Sequence, residues 1–225
     1  MVGESRMRVQ KDFTRLEGDK SARLVVIAAE GFETENLYFE AMKAELKAAN
    51  VHVEVLHRQN DGESSPEHVL GQIKEFIQEY NIEDDDELWI VVDRDNWTNK
   101  MLSSVARHCF QNKNLRFCVS NPCFELWLLL HLEDVTAYSE EERAQLSANR
   151  KSTRHKTWLK HKLSDIMGGY NEADYDANQL LPDIENAISQ AITLDVKPED
   201  RWPQKVGTRV YKLALSIMGR SEFAK

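Results

Sequence analysis

Three carboxylates stand where a sheet protein does chemistry. Glu30 follows an apolar run at residues 24–29 (LVVIAA), and Asp93 and Asp95 follow a second, at residues 88–92 (LWIVV). Short continuous runs rich in β-branched residues suit strands buried on both faces. In open α/β sheets the ligand lies outside the carboxyl ends of the strands, so acids that follow such strands converge on one crevice. Asp-x-Asp at a strand end also puts both side chains on one side of an extended segment. That spacing suits Mg²⁺, a hard ion that takes carboxylate oxygens, keeps waters and completes its shell with phosphate oxygens. A metal there can activate water and steady the charge of a phosphodiester under in-line attack. One Asp after a strand is often only a turn or cap residue; three acids after two fully apolar strands are a more specific pattern. The run Glu83, Asp84, Asp85, Asp86, Glu87 holds more carboxylates but precedes its strand. It lies at the wrong end for the crevice and reads as a solvated loop.

The elements that must position these acids follow from periodicity. After the first strand and Gly31, Leu37, Met42, Leu46 and Ala49 recur at near-helical spacing, so residues 34–49 read as a helix. Residues 51–56 (VHVEVL) alternate as a strand does, and residues 58–66 are a polar loop. Val69, Leu70, Ile73, Phe76 and Ile77 mark an amphipathic helix before the second apolar strand. Residues 97–111 read as a helix and residues 115–119 as a strand; Pro122 then opens a helix through the apolar run 124–132. Strand–helix alternation at this pace indicates a parallel, doubly wound α/β sheet. Beyond residue 133 the strands stop, and residues 139–147, 155–167, 174–191 and 204–219 read as helices. The organisation expected is a loose arm at 1–20, an α/β core at 21–133, and a helical C-terminal region at 134–225 packed on that core.

Charge is unevenly distributed. The chain of 225 residues carries a formal net charge of −9, against a generic coat for nucleic acid. Yet residues 150–162 and 201–220 contain no acid. Arg154, Lys156, Lys160 and Lys162 in the first stretch, and Lys205, Arg209 and Lys212 in the second, are candidates for a phosphate-binding footprint. Two solvated helix faces are the alternative. The three cysteines form no CxxC pair, and no apolar run is long enough to span a bilayer. A reducing cytoplasm is the expectation.

Three segments carry a family resemblance. Residues 30–39 (EGFETENLYF), 89–95 (WIVVDRD) and 120–131 (SNPCFELWLLLH) resemble the hallmark segments of the RloB-like proteins. Gly169-Tyr170, Tyr175-Asp176 and residues 207–211 (GTRVY) resemble weaker family positions, and the likeness covers roughly residues 20–215. The chain departs from the family pattern at Asn171-Glu172, where relatives carry lysines. The resemblance implies a TOPRIM-like, Rossmannoid nuclease fold in bacterial antiphage loci, beside an ABC-type or AAA-type ATPase partner. It implies Mg²⁺ or Mn²⁺ as cofactor, with Glu30, Glu35, Asp93 and Asp95 as metal-binding and catalytic residues. Glu125 joins the catalytic set because it interrupts an apolar helix, where a carboxylate is costly unless paired or metal-bound; a helix-dipole position facing solvent is the alternative. His131 reads as structural. Ser120 and Asn121 read as caps of that helix, or as phosphate contacts. The function expected is phosphodiester hydrolysis of RNA, tRNA included, or of DNA. A non-catalytic module docking on an ATPase is the competing class.

Overall fold

A computed structural model describes residues 10–13, 22–57, 65–94, 97–151 and 156–220. Asp95, Arg154, most of the expected N-terminal arm and most of the polar loop at 58–66 lie outside the described residues. Five strands form one sheet: β1 (Arg23–Ala29), β2 (Val51–Leu56), β3 (Glu87–Asp93), β4 (Leu115–Asn121) and β5 (Gly207–Thr208). Their order is β2-β1-β3-β4-β5. The first four run parallel, with Ala28 level with Leu56 and Ile90, and Asp93 level with Ser120.

Period-two alternation sorts each strand between two cores. Val25, Ile27 and Ala29 face one side with Trp89 and Val91, while Leu24, Val26 and Ala28 face the other with Leu88, Ile90 and Val92. Both faces are covered, which is why β1 and β3 are apolar throughout. The first face is covered by α1 (Thr34–Glu45), α4 (Glu125–Leu132), α6 (Trp158–Ile166), α7 (Ile184–Leu194) and α8 (Val210–Ile217). The second is covered by α2 (Pro66–Glu79) and α3 (Asn99–Gln111). Local signals set the helix starts: Ser65 accepts the His68 N–H ahead of Pro66, and Thr98 accepts the Met101 N–H. The chain leaves β1 in one direction to reach β2, then returns past β1 to β3. Strand order therefore reverses between β1 and β3, the switch point at which doubly wound sheets hold ligands.

The α/β expectation holds, with several corrections. Strands do not end at residue 133, because β5 pairs antiparallel with β4 through Ser120–Thr208 and Asn121–Gly207. Helix α8 consequently begins at Val210, not near 204. The helix expected over 174–191 is instead two 3-10 turns followed by α7, with Pro182 in the second turn. Helix α5 (Glu140–Ala148) carries a capping box from Ser139 and Glu142. Within the expected loose arm, Lys11 bridges to Tyr80, and the Phe13 ring packs on His52, Phe76 and Tyr80. Ser120 and Asn121 do not cap a helix: they end β4, bonding to the Thr208 hydroxyl and the Pro203 carbonyl.

The acidic run before β3 is only partly solvated. Asp86 is buried and accepts the N–H groups of Leu24 and Glu83 at 2.9 and 2.7 Å, holding the start of β1. Glu87 is buried too, pairing with Arg23 at 3.1 Å and accepting from Trp89 Nε1 and the Ser216 hydroxyl. Asp84 and Asp85 remain exposed. Two of the five acids, Asp86 and Glu87, thus tie β1, β3 and α8 together at the amino end of the sheet, opposite the crevice.

Candidate metal centre at the sheet's carboxyl edge

Strand pairing carries Glu30 and Asp93 to the same point. The Glu30 N–H donates to the Val91 carbonyl at 2.9 Å, extending the β1–β3 ladder by one residue. Its side chain then turns across the strand end, where Oε2 accepts the Asp93 N–H at 3.1 Å. Trp97 Nε1 donates to both Glu30 oxygens at 2.8 Å. These charge-assisted bonds fix the carboxylate in one orientation while it is 8% exposed.

Glu35 arrives from the first turn of α1, where the helix dipole favours an acid. Its Oε1 accepts the Gly31 N–H at 3.1 Å. Glycine leaves room for that carboxylate, since a Cβ at Gly31 would lie 1.6 Å from Glu35 Oε2 and displace it. Burial, and then the charges of Glu125 and Glu30, push the Glu35 pKa up to about 7. That repulsion reports three carboxylates crowded into one low-dielectric space.

Glu125 opens α4 and is buried, 6% exposed, rather than facing solvent. A carboxylate oxygen of Glu125, a carboxylate oxygen of Asp93 and the Cys123 sulfur lie within 4.8 Å of one another, a group that could hold a metal ion. Lys160 of α6 reaches the same place, 3.5 Å from Glu125 Oε1. The structure thus brings together Glu30, Glu35, Asp93 and Glu125 of the sequence candidates, with Asp95 outside the described residues.

The basic candidates do not form one surface. Lys160 belongs to the acidic crevice, and Lys162 pairs with Glu133 at 3.0 Å beneath the Tyr138 ring. Lys156 donates to the Ser164 hydroxyl at 3.3 Å. Arg209 is buried, forked onto Asp195 at 3.0 and 3.2 Å, and bonded to the Asp200 and Lys197 carbonyls. It joins β5 to the segment after α7 and offers no charge to a polyanion. Lys212 is half-buried, its pKa lowered by burial and by Arg209. Lys205 is exposed. His131 bonds Tyr38 and the Trp127 carbonyl, and burial lowers its pKa to about 4, so it stays neutral inside the core.

Cys123 and Trp97 are not among the sequence candidates, and Lys160 is among them only as part of a phosphate-binding footprint, not as a neighbour of Glu125. Cys123 has a signal in hindsight, since it stands two residues before Glu125.

A doubly wound α/β protein with clustered carboxylates at its switch point is the class that fold and site define. Within it, residues 25–217 match the family model of RloB-like proteins, and the chain belongs to that family. No curated protein and no solved structure matches it. Among the described residues, no helix is long and apolar enough to cross a membrane.

Proposed function

We propose that this RloB-like protein is a metal-dependent endonuclease with a TOPRIM-like centre, hydrolysing phosphodiester bonds of RNA, tRNA included, or of DNA. The observation that carries this reading is the meeting of Asp93, Cys123 and Glu125 within 4.8 Å, beside Glu30, at the β1/β3 switch point. The donor set fits a divalent cation: burial, and then the charges of Glu125 and Glu30, disfavour an ionised Glu35, and buried like charges gain from added positive charge. Asp93 and Glu125 would hold Mg²⁺ or Mn²⁺ through oxygen, and the Cys123 sulfur favours the softer Mn²⁺. When bound, the ion supplies a more acidic water and positive charge for the phosphoryl oxygens.

The chain's own groups have separable tasks. Trp97 and the Asp93 N–H hold Glu30 in place behind the cluster. Glu35, buried beside Glu30 and Glu125, is the group assigned to take a proton from water or return one to the leaving oxygen. A role in bacterial antiphage defence beside an ABC-type or AAA-type ATPase rests on the family resemblance.

The test is incubation of purified protein with labelled RNA and DNA, in Mg²⁺ or Mn²⁺ and again in EDTA. Cleavage that EDTA stops, and that Asp93→Ala and Glu30→Ala abolish without unfolding the protein, is the expected result. Cleavage that persists in EDTA or in Asp93→Ala would overturn the proposal. Absence of cleavage with all substrates would leave the non-catalytic, ATPase-docking reading.

A further inference from the structure

Helix α3 carries charge opposite in sign to that of the whole chain. Residues 96–124 are the longest acid-free stretch in a sequence of net charge −9, and they hold Lys100, Arg107, Lys113 and Arg116. Leu102 and Val105 bury one face of α3 against the sheet, which turns Lys100, Ser104, Arg107 and Gln111 outward at helical spacing. Lys113 is 2.7 Å from Asp84, and Arg116 is 3.9 Å from Glu87. Lys100 and Arg107 are exposed and make no ion pair among the described residues. The neighbouring α2 differs: its exposed positions include Glu67, Glu75 and Glu79 against Lys74, so the positive surface belongs to α3.

The helix starts at the crevice. Arg94 donates to Asn99 Oδ1 at 2.8 Å, and Trp97, two residues before α3, holds Glu30. From Lys100 the outward row runs about 15 Å along the axis, at 1.5 Å per residue, to Phe110. Phe110 lies one turn beyond Arg107 and is 92% exposed. A protein interface centres on several large apolar side chains, and Phe110 is the only exposed large hydrophobic on α3. Unpaired cations with a free aromatic ring are instead the make-up of a platform for single-stranded nucleic acid, where phosphates meet the cations and bases stack on the ring. The segment before β5 widens this surface. Trp202 is buried in the same core as Leu102 and Val105, 6.4 Å from Phe117, and Arg201 and Lys205 beside it are exposed. Two acid-free stretches far apart in sequence therefore meet on one side of the sheet.

We infer that the outer face of α3 binds a single strand of nucleic acid and leads it to the crevice, with Lys100 and Arg107 on its phosphates and Phe110 stacked on a base. The inference rests on the phosphodiesterase reading above for its substrate class and adds the surface that holds the strand outside the metal centre.

The test compares the wild type with Lys100→Glu plus Arg107→Glu, with Phe110→Ala, and with Lys74→Glu on α2 as control. It reads binding of labelled single-stranded and duplex RNA and DNA in Ca²⁺ over a series of salt concentrations, cleavage in Mn²⁺, and melting temperature. The double charge reversal should weaken single-strand binding and flatten the log–log salt slope by about 1.4, at about 0.7 per phosphate. Phe110→Ala should lower single-strand affinity by about 10-fold, as loss of one stacked base does, and spare both the salt slope and duplex binding. Lys74→Glu should change none of these, and all variants should melt as the wild type does. Unchanged binding and slope in the double variant, or an equal loss in Lys74→Glu, would overturn the inference; equal loss of strand and duplex in Phe110→Ala would refute the stacked base. A wild type that binds single strands and cleaves none ends the phosphodiesterase reading, and the α3 surface is then judged by binding alone. A wild type that cleaves, with binding and cleavage undiminished in the double variant, keeps that reading and removes the α3 surface. A wild type that binds no oligonucleotide overturns the inference and leaves this face to a protein partner.

Discussion

Replacing Glu35 by Gln should stabilise the metal-free protein at neutral pH and change nothing near pH 4. Burial and the neighbouring Glu125 and Glu30 raise the Glu35 pKa from 4.5 to about 7. Between those values the folded protein keeps a proton that the unfolded chain has lost. The folded state therefore binds more protons, and unfolding free energy falls as pH rises through that window. At about 1.4 kcal/mol per pH unit, the full loss is about 3 kcal/mol, complete once pH passes the folded value. Glutamine keeps an oxygen for the Gly31 N–H, so the variant removes the charge and spares the hydrogen bond. Urea unfolding in EDTA at a series of pH values from 4.5 to 8 measures the effect. The wild-type curve should descend relative to Glu35→Gln by up to about 3 kcal/mol. Two parallel curves would mean that Glu35 is not held buried beside Glu125 and Glu30, and its part in the centre would be refuted.

Other perturbations separate site from scaffold. Gly31→Ala should push the Glu35 carboxylate out of its pocket, since the new Cβ would fall 1.6 Å from Oε2; the pH dependence above should vanish, with little change in melting temperature at pH 5. Glu87→Ala should cost about 3–5 kcal/mol in chemical denaturation, because it leaves the Arg23 guanidinium buried without its carboxylate. Asp93→Ala should leave metal-free stability equal or higher, as removing one like charge eases repulsion. Arg209→Met should likewise destabilise by about 3 kcal/mol and leave the salt dependence of nucleic-acid binding unchanged, its charge being buried on Asp195. Lys205→Glu, at an exposed position, should flatten the log–log salt slope by roughly 0.7–0.9 if Lys205 contacts one phosphate.

The sheet was legible because β1 and β3 are buried on both faces, which leaves an unmistakable apolar run with its acid at the end. Pairing β1 with β3 then brings Glu30 and Asp93 together, and α1 swings Glu35 back over Gly31. What was not legible depends on partners distant in sequence. Arg209 and Lys205 look alike in a basic stretch; only the fold puts Asp195 beside one and solvent beside the other. Asp86 and Glu87 sit in a run that resembles a solvated loop, yet an N–H of β1 and the Arg23 guanidinium bury them. The two-residue β5 is too short for any periodicity. Its existence is set by Ser120 and Thr208, whose hydroxyls meet at 2.7 Å across 88 residues of chain.

The Glu87 junction also bears on biosynthesis. It joins the first strand, the third and α8: Arg23 donates to both the side chain and the carbonyl of Ser216, and the Ser216 hydroxyl donates to Glu87. A nascent chain in which residue 216 is still inside the ribosome holds Arg23 and Glu87 without that third partner, and one face of β4 without α8. Arg23 and Glu87 complete their hydrogen bonding only once synthesis has passed residue 216, although Glu30, Asp93 and Glu125 emerged long before.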